Sequence, residues 1–185
     1  VITVENFMAA YKGASTIRFY HSPDQLKRVE LKNAVFKPTP THTAHTSIIA
    51  NCESIRTNNI ESVGTTGSAI HIRYSYDVIA NDTRPLKAAA VGSGQGYGIQ
   101  LFGVSKFTVN SVKGSGMRHV YDQDSAYFGI IRDISDDDDK SAPVGLAHNG
   151  FTGYILCENI QVTTSQYPVV LSEQGYGGTV PALKQ

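Results

Sequence analysis

Ile55-Arg-Thr-Asn-Asn-Ile60 decides the fold, because it returns with variation as Phe107-Thr-Val-Asn-Ser-Val112 and as Ile160-Gln-Val-Thr-Thr-Ser165. Val29-Glu-Leu-Lys-Asn-Ala-Val35 is a fourth copy, and Val78-Ile-Ala-Asn-Asp82 and Ile131-Arg-Asp-Ile134 are weaker ones. With Val29, Ile55, Val78, Phe107, Ile131 and Ile160 taken as equivalent, the copies recur after 26, 23, 29, 24 and 29 residues. That is solenoid spacing. A second alternating stretch lies upstream of several copies: Ser47-Ile-Ile-Ala50, Ala69-Ile-His-Ile72 and Gly98-Ile-Gln-Leu101. Two short strands per unit, with no helix between them and polar or glycine-rich corners, predict an all-β chain wound as a single-stranded parallel β-helix of about six rungs.

Composition agrees. The 185 residues suffice for one domain with a substantial core. Sixteen Lys and Arg balance sixteen Asp and Glu, so no electrostatic footprint for nucleic acid or an anionic membrane is expected. Seventeen glycines, ten tyrosines and no tryptophan suit short strands and many turns. No apolar run approaches the roughly 20 residues that span a bilayer, so membrane insertion is not expected. The first residue is Val1 rather than Met, as in an excised piece of a longer protein.

The frame organises the chain into a lead-in over residues 1–24, a β-helix over 25–178 and a tail over 179–185. Glu5-Asn-Phe-Met-Ala-Ala-Tyr11 before Gly13 reads as a short helix capping the open end of the solenoid. Lys37–His45, Thr83–Tyr97 and Ser135–Gly150 read as excursions, which in solenoids collect on one face and often build the binding surface. Cys52 and Cys157 lie three residues before their markers, at the position that Leu26, Ser75, Val104 and Phe128 occupy elsewhere. In one inward stack, cysteines four rungs apart are separated by roughly 19 Å, beyond disulfide reach, so both are expected as free buried thiols. Asn33, Asn59, Asp82, Ser111 and Thr164 fall four residues after their markers, as a ladder of small hydrogen-bonding residues at one corner.

The coil Gly98-Ile-Gln-Leu-Phe-Gly-Val-Ser-Lys-Phe-Thr-Val-Asn-Ser-Val-Lys-Gly114, with matching coils at 47–64 and 151–165, resembles the right-handed parallel β-helices of pectate-lyase-like proteins. Among these it most resembles the tailspike and tail-fibre proteins of bacteriophages. The resemblance covers roughly residues 25–175 and rests on rung architecture rather than on a diagnostic motif. It implies a homotrimer outside the cell, on the virion tail, that recognises a bacterial surface polysaccharide, either capsule or lipopolysaccharide, and often depolymerises it. Two rival readings stand beside it: a secreted monomeric polysaccharide lyase or hydrolase of the pectate-lyase type, and a structural or adhesive β-helix without turnover. No cofactor or resident metal is expected.

Hydrolysis of a glycosidic bond needs two carboxyl groups about 5–5.5 Å apart for retention, or 6.5–9.5 Å for inversion. Asp122 and Asp124, in Arg118-His-Val-Tyr-Asp-Gln-Asp124, are two apart and share a face if the segment is a strand. The alternative makes them corner residues, since an inward Val120 would carry Asp122 inward with it. Arg118 and His119 are placed to bind an acidic sugar or tune a carboxyl group. Glu158 and Glu173 form a second candidate pair. The paired aspartates, His-Gly and Arg-x-Lys elements of polygalacturonases are absent.

Asp136 to Asp139, ahead of Lys140, lack the alternating spacing and glycine of a calcium loop and read as a solvated, mutually repelling loop. His42 and His45 have no companion ligand in sequence, and the glycines between 92 and 98 do not fit a dinucleotide fingerprint. Tyr74, Tyr76, Tyr97, Phe102, Tyr121, Tyr127, Tyr154, Tyr167 and Tyr176 are spread over successive coils. Tyrosine offers a flat face to a sugar ring and a hydroxyl to its oxygens. Tyr121, Tyr154 and Tyr176 are therefore candidates for holding an extended polymer, with burial in a subunit interface as the competing use.

Overall fold

The computed structural model describes residues 2–11, 17–19, 26–38, 45–92, 94–137, 142–146, 152–163 and 168–171. Among them are twelve strands: β1 (Ile2–Tyr11), β2 (Ile17–Phe19), β3 (Leu26–Pro38), β4 (Ser47–Ala50), β5 (Cys52–Val63), β6 (Ser68–Arg73), β7 (Asp77–Leu86), β8 (Tyr97–Gly114), β9 (His119–Asp136), β10 (Val144–Leu146), β11 (Thr152–Val162) and β12 (Val169–Leu171). All pairings between these strands are parallel, and strands consecutive in sequence mostly fall in different stacks. One stack runs β2-β4-β6, continues through the first halves of β8 and β9, and ends on β10 and β12. The other runs β1-β3-β5-β7, continues through the second halves of β8 and β9, and ends on β11. The chain is thus a parallel β-helix, as the repeat predicts.

The register holds for four rungs and then departs from the expected one. Val29, Ile55, Val78 and Phe107 are lateral neighbours, but the next neighbour of Phe107 is Gly129, followed by Ile155. Ile131 instead stands beside Val109, and Ile160 beside Ile134. The cause is packing: a Cβ at Gly129 would sit 2.4–2.5 Å from three atoms of the Phe107 ring. The marker position on that rung has to be empty, and a search for an apolar residue slides two positions on. Cys157 therefore stacks in the column of Leu31, Thr57, Ala80, Val109 and Ile131, two inward positions beyond that of Cys52. Both thiols are free, and burial pushes both upward in pKa, Cys52 to about 11.

The corrected register completes the corner ladder. Asn6, Asn33, Asn59, Asp82, Ser111, Asp133 and Asn159 all lie at φ between 50° and 58°. This left-handed conformation is unfavourable for most L-residues, but Asn and Asp tolerate it because a short polar side chain bonds locally. Here the amides also bond from rung to rung. Asn33 Nδ2 donates to Asn6 Oδ1 at 3.0 Å, Asn59 Nδ2 to Asn33 Oδ1 at 2.8 Å, and Asn159 Nδ2 to Asp133 Oδ1 at 2.6 Å. Asn6, Asp133 and Asn159 were not expected in the ladder, and Thr164, which was, lies outside the described residues.

Inside the coils, Ile55, Ile60, Ile70, Ile72, Ile99, Leu101, Phe107 and Tyr121 pack in one continuous core. Each fully buried aliphatic side chain contributes about 1.5–3 kcal/mol before entropy is set against it. Two expectations fail at the edges of this core. Residues 5–11 are not a capping helix but part of β1, paired along β3, so the β-helix begins well before residue 25. Asp136 is not solvated: it is fully buried and accepts from the backbone N–H of Gly116 at 2.9 Å and of Met117 at 3.1 Å. The segment 135–150, expected as an excursion, contains the rung strand β10.

Candidate functional site

On the β4-β6 side, the alternation that packs Ile70, Ile72, Ile99 and Leu101 into the apolar core turns His71 and Gln100 to the opposite face, where both are nonetheless buried. Val120 and Tyr121 both belong to the core, so the alternation restarts at Tyr121 and Asp122 and Asp124 follow His71 and Gln100 outward. The lateral order is Ile48, His71, Gln100, Asp122, Gly145. Ser68 Oγ donates to Gln100 Oε1 at 2.7 Å, and Gln100 Nε2 donates to Asp122 Oδ2 at 3.1 Å and to Asp124 Oδ2 at 3.5 Å. One amide thus gathers both carboxylates. The two accepting oxygens therefore lie on one face, within reach of a single amide nitrogen.

The surroundings of the pair are polar but closed. Asp122 has no exposed surface and Asp124 retains 7%. At Gly145 an added Cβ would come 2.7 Å from Asp122 Oδ1, so only glycine lets that rung lie against the carboxylate. His45 and His71 meet edge to face with ring centroids 4.0 Å apart, and Arg73 Nε donates to His71 Nε2 at 3.1 Å. Burial, with Arg73 adding to it, lowers His45 to about pKa 4. Burial also holds His71 far below the ordinary histidine range, helped by His45 and Arg73. Both rings are neutral at pH 7, and His45 Nδ1 accepts from the Ser68 backbone N–H at 3.1 Å.

Arg118 and His119, expected to contact sugar, are used in the fold. The Arg118 guanidinium lies 5.5 Å from the centroid of the Tyr97 ring; its Nη1 donates to Tyr97 Oη at 2.8 Å and to the Gly92 carbonyl. His119 stacks on Tyr97 with ring centroids 5.8 Å apart and an interplanar angle of 11°, and its Nδ1 lies 2.6 Å from the Ala142 carbonyl. Burial first, then the Asp122 charge, pushes the Tyr97 phenol up to about 12. Tyr121 is in the core, stacked on Phe107 at 6.0 Å, with its hydroxyl donating to Gln123 Oε1 at 2.7 Å. It is not presented to any ligand. Glu158 lies on the other sheet, 3.4 Å from Arg132, so it does not join Asp122. Glu173, Tyr167 and Tyr176 lie outside the described residues.

That other sheet carries an open groove. The outward positions of β8, β9 and β11 bring Lys106, Phe128 and Tyr154 side by side, with Thr108, Ile130 and Leu156 as the next row. Tyr76 joins them, and the groove encloses about 440 Å³. Phe128 is 63% exposed, Tyr154 70% and Tyr76 61%. Tyr76 and Tyr154 were among the aromatics singled out from sequence. Phe128 was assigned to the interior, and Gly129 next to it is the signal that would have turned it outward. Compared with known proteins, the chain matches no family model, no curated protein and no solved structure, so the residues themselves carry the functional reading.

Proposed function

We propose that this chain is the glycan-binding solenoid of a bacteriophage tailspike or tail fibre, a homotrimer on the virion tail that holds a bacterial surface polysaccharide along its outer surface. The observation that carries the reading is the row of exposed rings, Phe128 and Tyr154 on adjacent rungs with Tyr76 beside them. Soluble proteins seldom leave large aromatic side chains exposed side by side, and such patches mark binding surfaces. Rungs about 4.8 Å apart set the rings at a repeat suited to successive units of an extended polymer. A rigid β-helix keeps that spacing without any ordering cost on binding.

Cleavage is a second reading, favoured by one observation: Asp122 and Asp124 lie on one face and both accept from the Gln100 amide. Burial of both carboxylates opposes it, so binding without turnover is the better-supported function. The experiment is retention on a panel of purified capsules and lipopolysaccharides, with release of new reducing or unsaturated ends recorded alongside and the molecular mass in solution measured. Retention lost in Tyr154→Ala supports the groove. Release that Asp122→Asn abolishes would move the chain to the depolymerases. A monomer that retains no polymer would sink the proposal.

A further inference from the structure

On the outer surface of the second sheet, several basic side chains are matched to carboxylates. Arg28 and Lys32 hold Glu30 at 2.5 and 2.7 Å, Arg56 holds Asp77 at 2.6 Å, and Arg132 reaches Glu158 at 3.4 Å. Lys106 stands in the same outward column as Asp77 and Phe128. Its neighbour Asp77 is already engaged by Arg56, and among the described residues no carboxylate pairs with the Lys106 ammonium. Among the described residues that line the groove, Lys106 is the one charged side chain, and it stands next to Phe128 and Tyr154.

We propose that the groove takes an anionic sugar, a carboxylate-bearing unit whose ring lies against Tyr154 and Phe128 while its carboxylate accepts from Lys106 Nζ. The inference rests on the polysaccharide reading of the groove and adds the class of sugar. An ammonium offers three donors and no acceptor, so it discriminates against cationic ligands and favours an anion. A charge-assisted hydrogen bond is roughly twice as strong as a neutral one. Aromatic rings alone would accept neutral and acidic sugars alike, and the lysine supplies the preference between them. Its long flexible stem lets the charge follow the carboxylate as the polymer slides by a rung.

The test compares glucuronic-acid-containing capsular polymers with the same polymers after chemical reduction of their carboxyl groups, using the full chain and isothermal titration. The native acid form should bind on the order of tenfold more tightly than its reduced partner, and the difference should shrink as salt is raised. Lys106→Met should abolish the preference and bring the two forms to equal affinity. Tyr154→Ala should weaken both. Equal binding of the two forms by the unaltered protein, or a preference that survives Lys106→Met, overturns the acidic-sugar assignment while leaving polysaccharide binding intact. Tighter binding of a phosphate-bearing polymer of neutral sugars also overturns it, by assigning the lysine to phosphate. Binding of no polymer at all, with self-association that Tyr154→Ala abolishes, refutes both readings and gives the groove to a second copy of the chain.

Discussion

Gly129→Ala puts the corrected register to a quantitative test. The new methyl group would lie 2.4–2.5 Å from Cε1, Cε2 and Cζ of Phe107, and that ring has little freedom to withdraw. It is 2% exposed and stacks on the fully buried Tyr121 at 6.0 Å. Overpacking of a filled core costs about 1–3 kcal/mol, and contact with three ring atoms places this site toward the upper end. Alanine also restricts the unfolded chain, which returns about 0.4–1 kcal/mol because Gly129 does not have a positive φ. The net loss is about 1–2 kcal/mol, a fall in Tm of about 3–6 °C for a chain of this size. Calorimetry and urea melts of the single variant would measure it. Phe107→Leu in the same molecule opens the space, so the double variant should be less destabilised than the two single effects together, by about 1 kcal/mol. If Gly129→Ala raises Tm or leaves it unchanged, Phe107 does not lie over Gly129 and the last rungs are misregistered.

Acid should weaken the fold through His45 and His71. Their folded pKa values lie below the unfolded value of about 6.5, so their contribution is complete above that pH and is lost as pH falls through it, by about 2 kcal/mol per histidine at pH 5; urea melts at pH 7.5, 6 and 5 should show the loss, and His45→Gln with His71→Gln should flatten it. At the corner ladder, Asn59→Ala should cost about 1–2 kcal/mol from left-handed strain together with the lost amide bond, and Asn59→Gly clearly less; equal losses in chemical denaturation would mean that conformation is not what selects Asn. Asp136→Ala should cost about 1–3 kcal/mol by leaving the N–H groups of Gly116 and Met117 without their acceptor, and hydrogen exchange at those two amides should accelerate; unchanged exchange would refute the capping role.

The fold was legible because a solenoid repeats its inward pattern, and four markers from Val29 to Phe107 carry that pattern in apolar residues. It stopped being legible at Gly129, where the interior is filled from the neighbouring rung and the residue itself shows nothing apolar. Every later slip follows from that: Phe128 turned inward, Cys157 placed in the wrong column, Asp133 and Asn159 left out of the ladder. The helix expected over residues 5–11 reflects local propensity, which the pairing of β1 along β3 overrides. The shared face of Asp122 and Asp124 was readable from their spacing, but their burial was not, because it depends on Gln100 and on a glycine at 145, on neighbouring rungs. Arg118 and His119 illustrate the same limit: a basic pair suited to a ligand is indistinguishable in sequence from one that holds a loop against Tyr97.

The left-handed corner has a consequence for how such a chain can change in length. From Val29 to Asn33, Ile55 to Asn59, Val78 to Asp82, Phe107 to Ser111, Gly129 to Asp133 and Ile155 to Asn159, the run into the bend never varies. All the variation between coils is absorbed elsewhere, as in residues 87–96. The bend therefore works as the indexing tooth of a ratchet, advancing the backbone by one storey each time whatever ornament hangs from the opposite wall. Whole storeys can be excised or duplicated between two such teeth without disturbing the pitch that aligns the rings above and below.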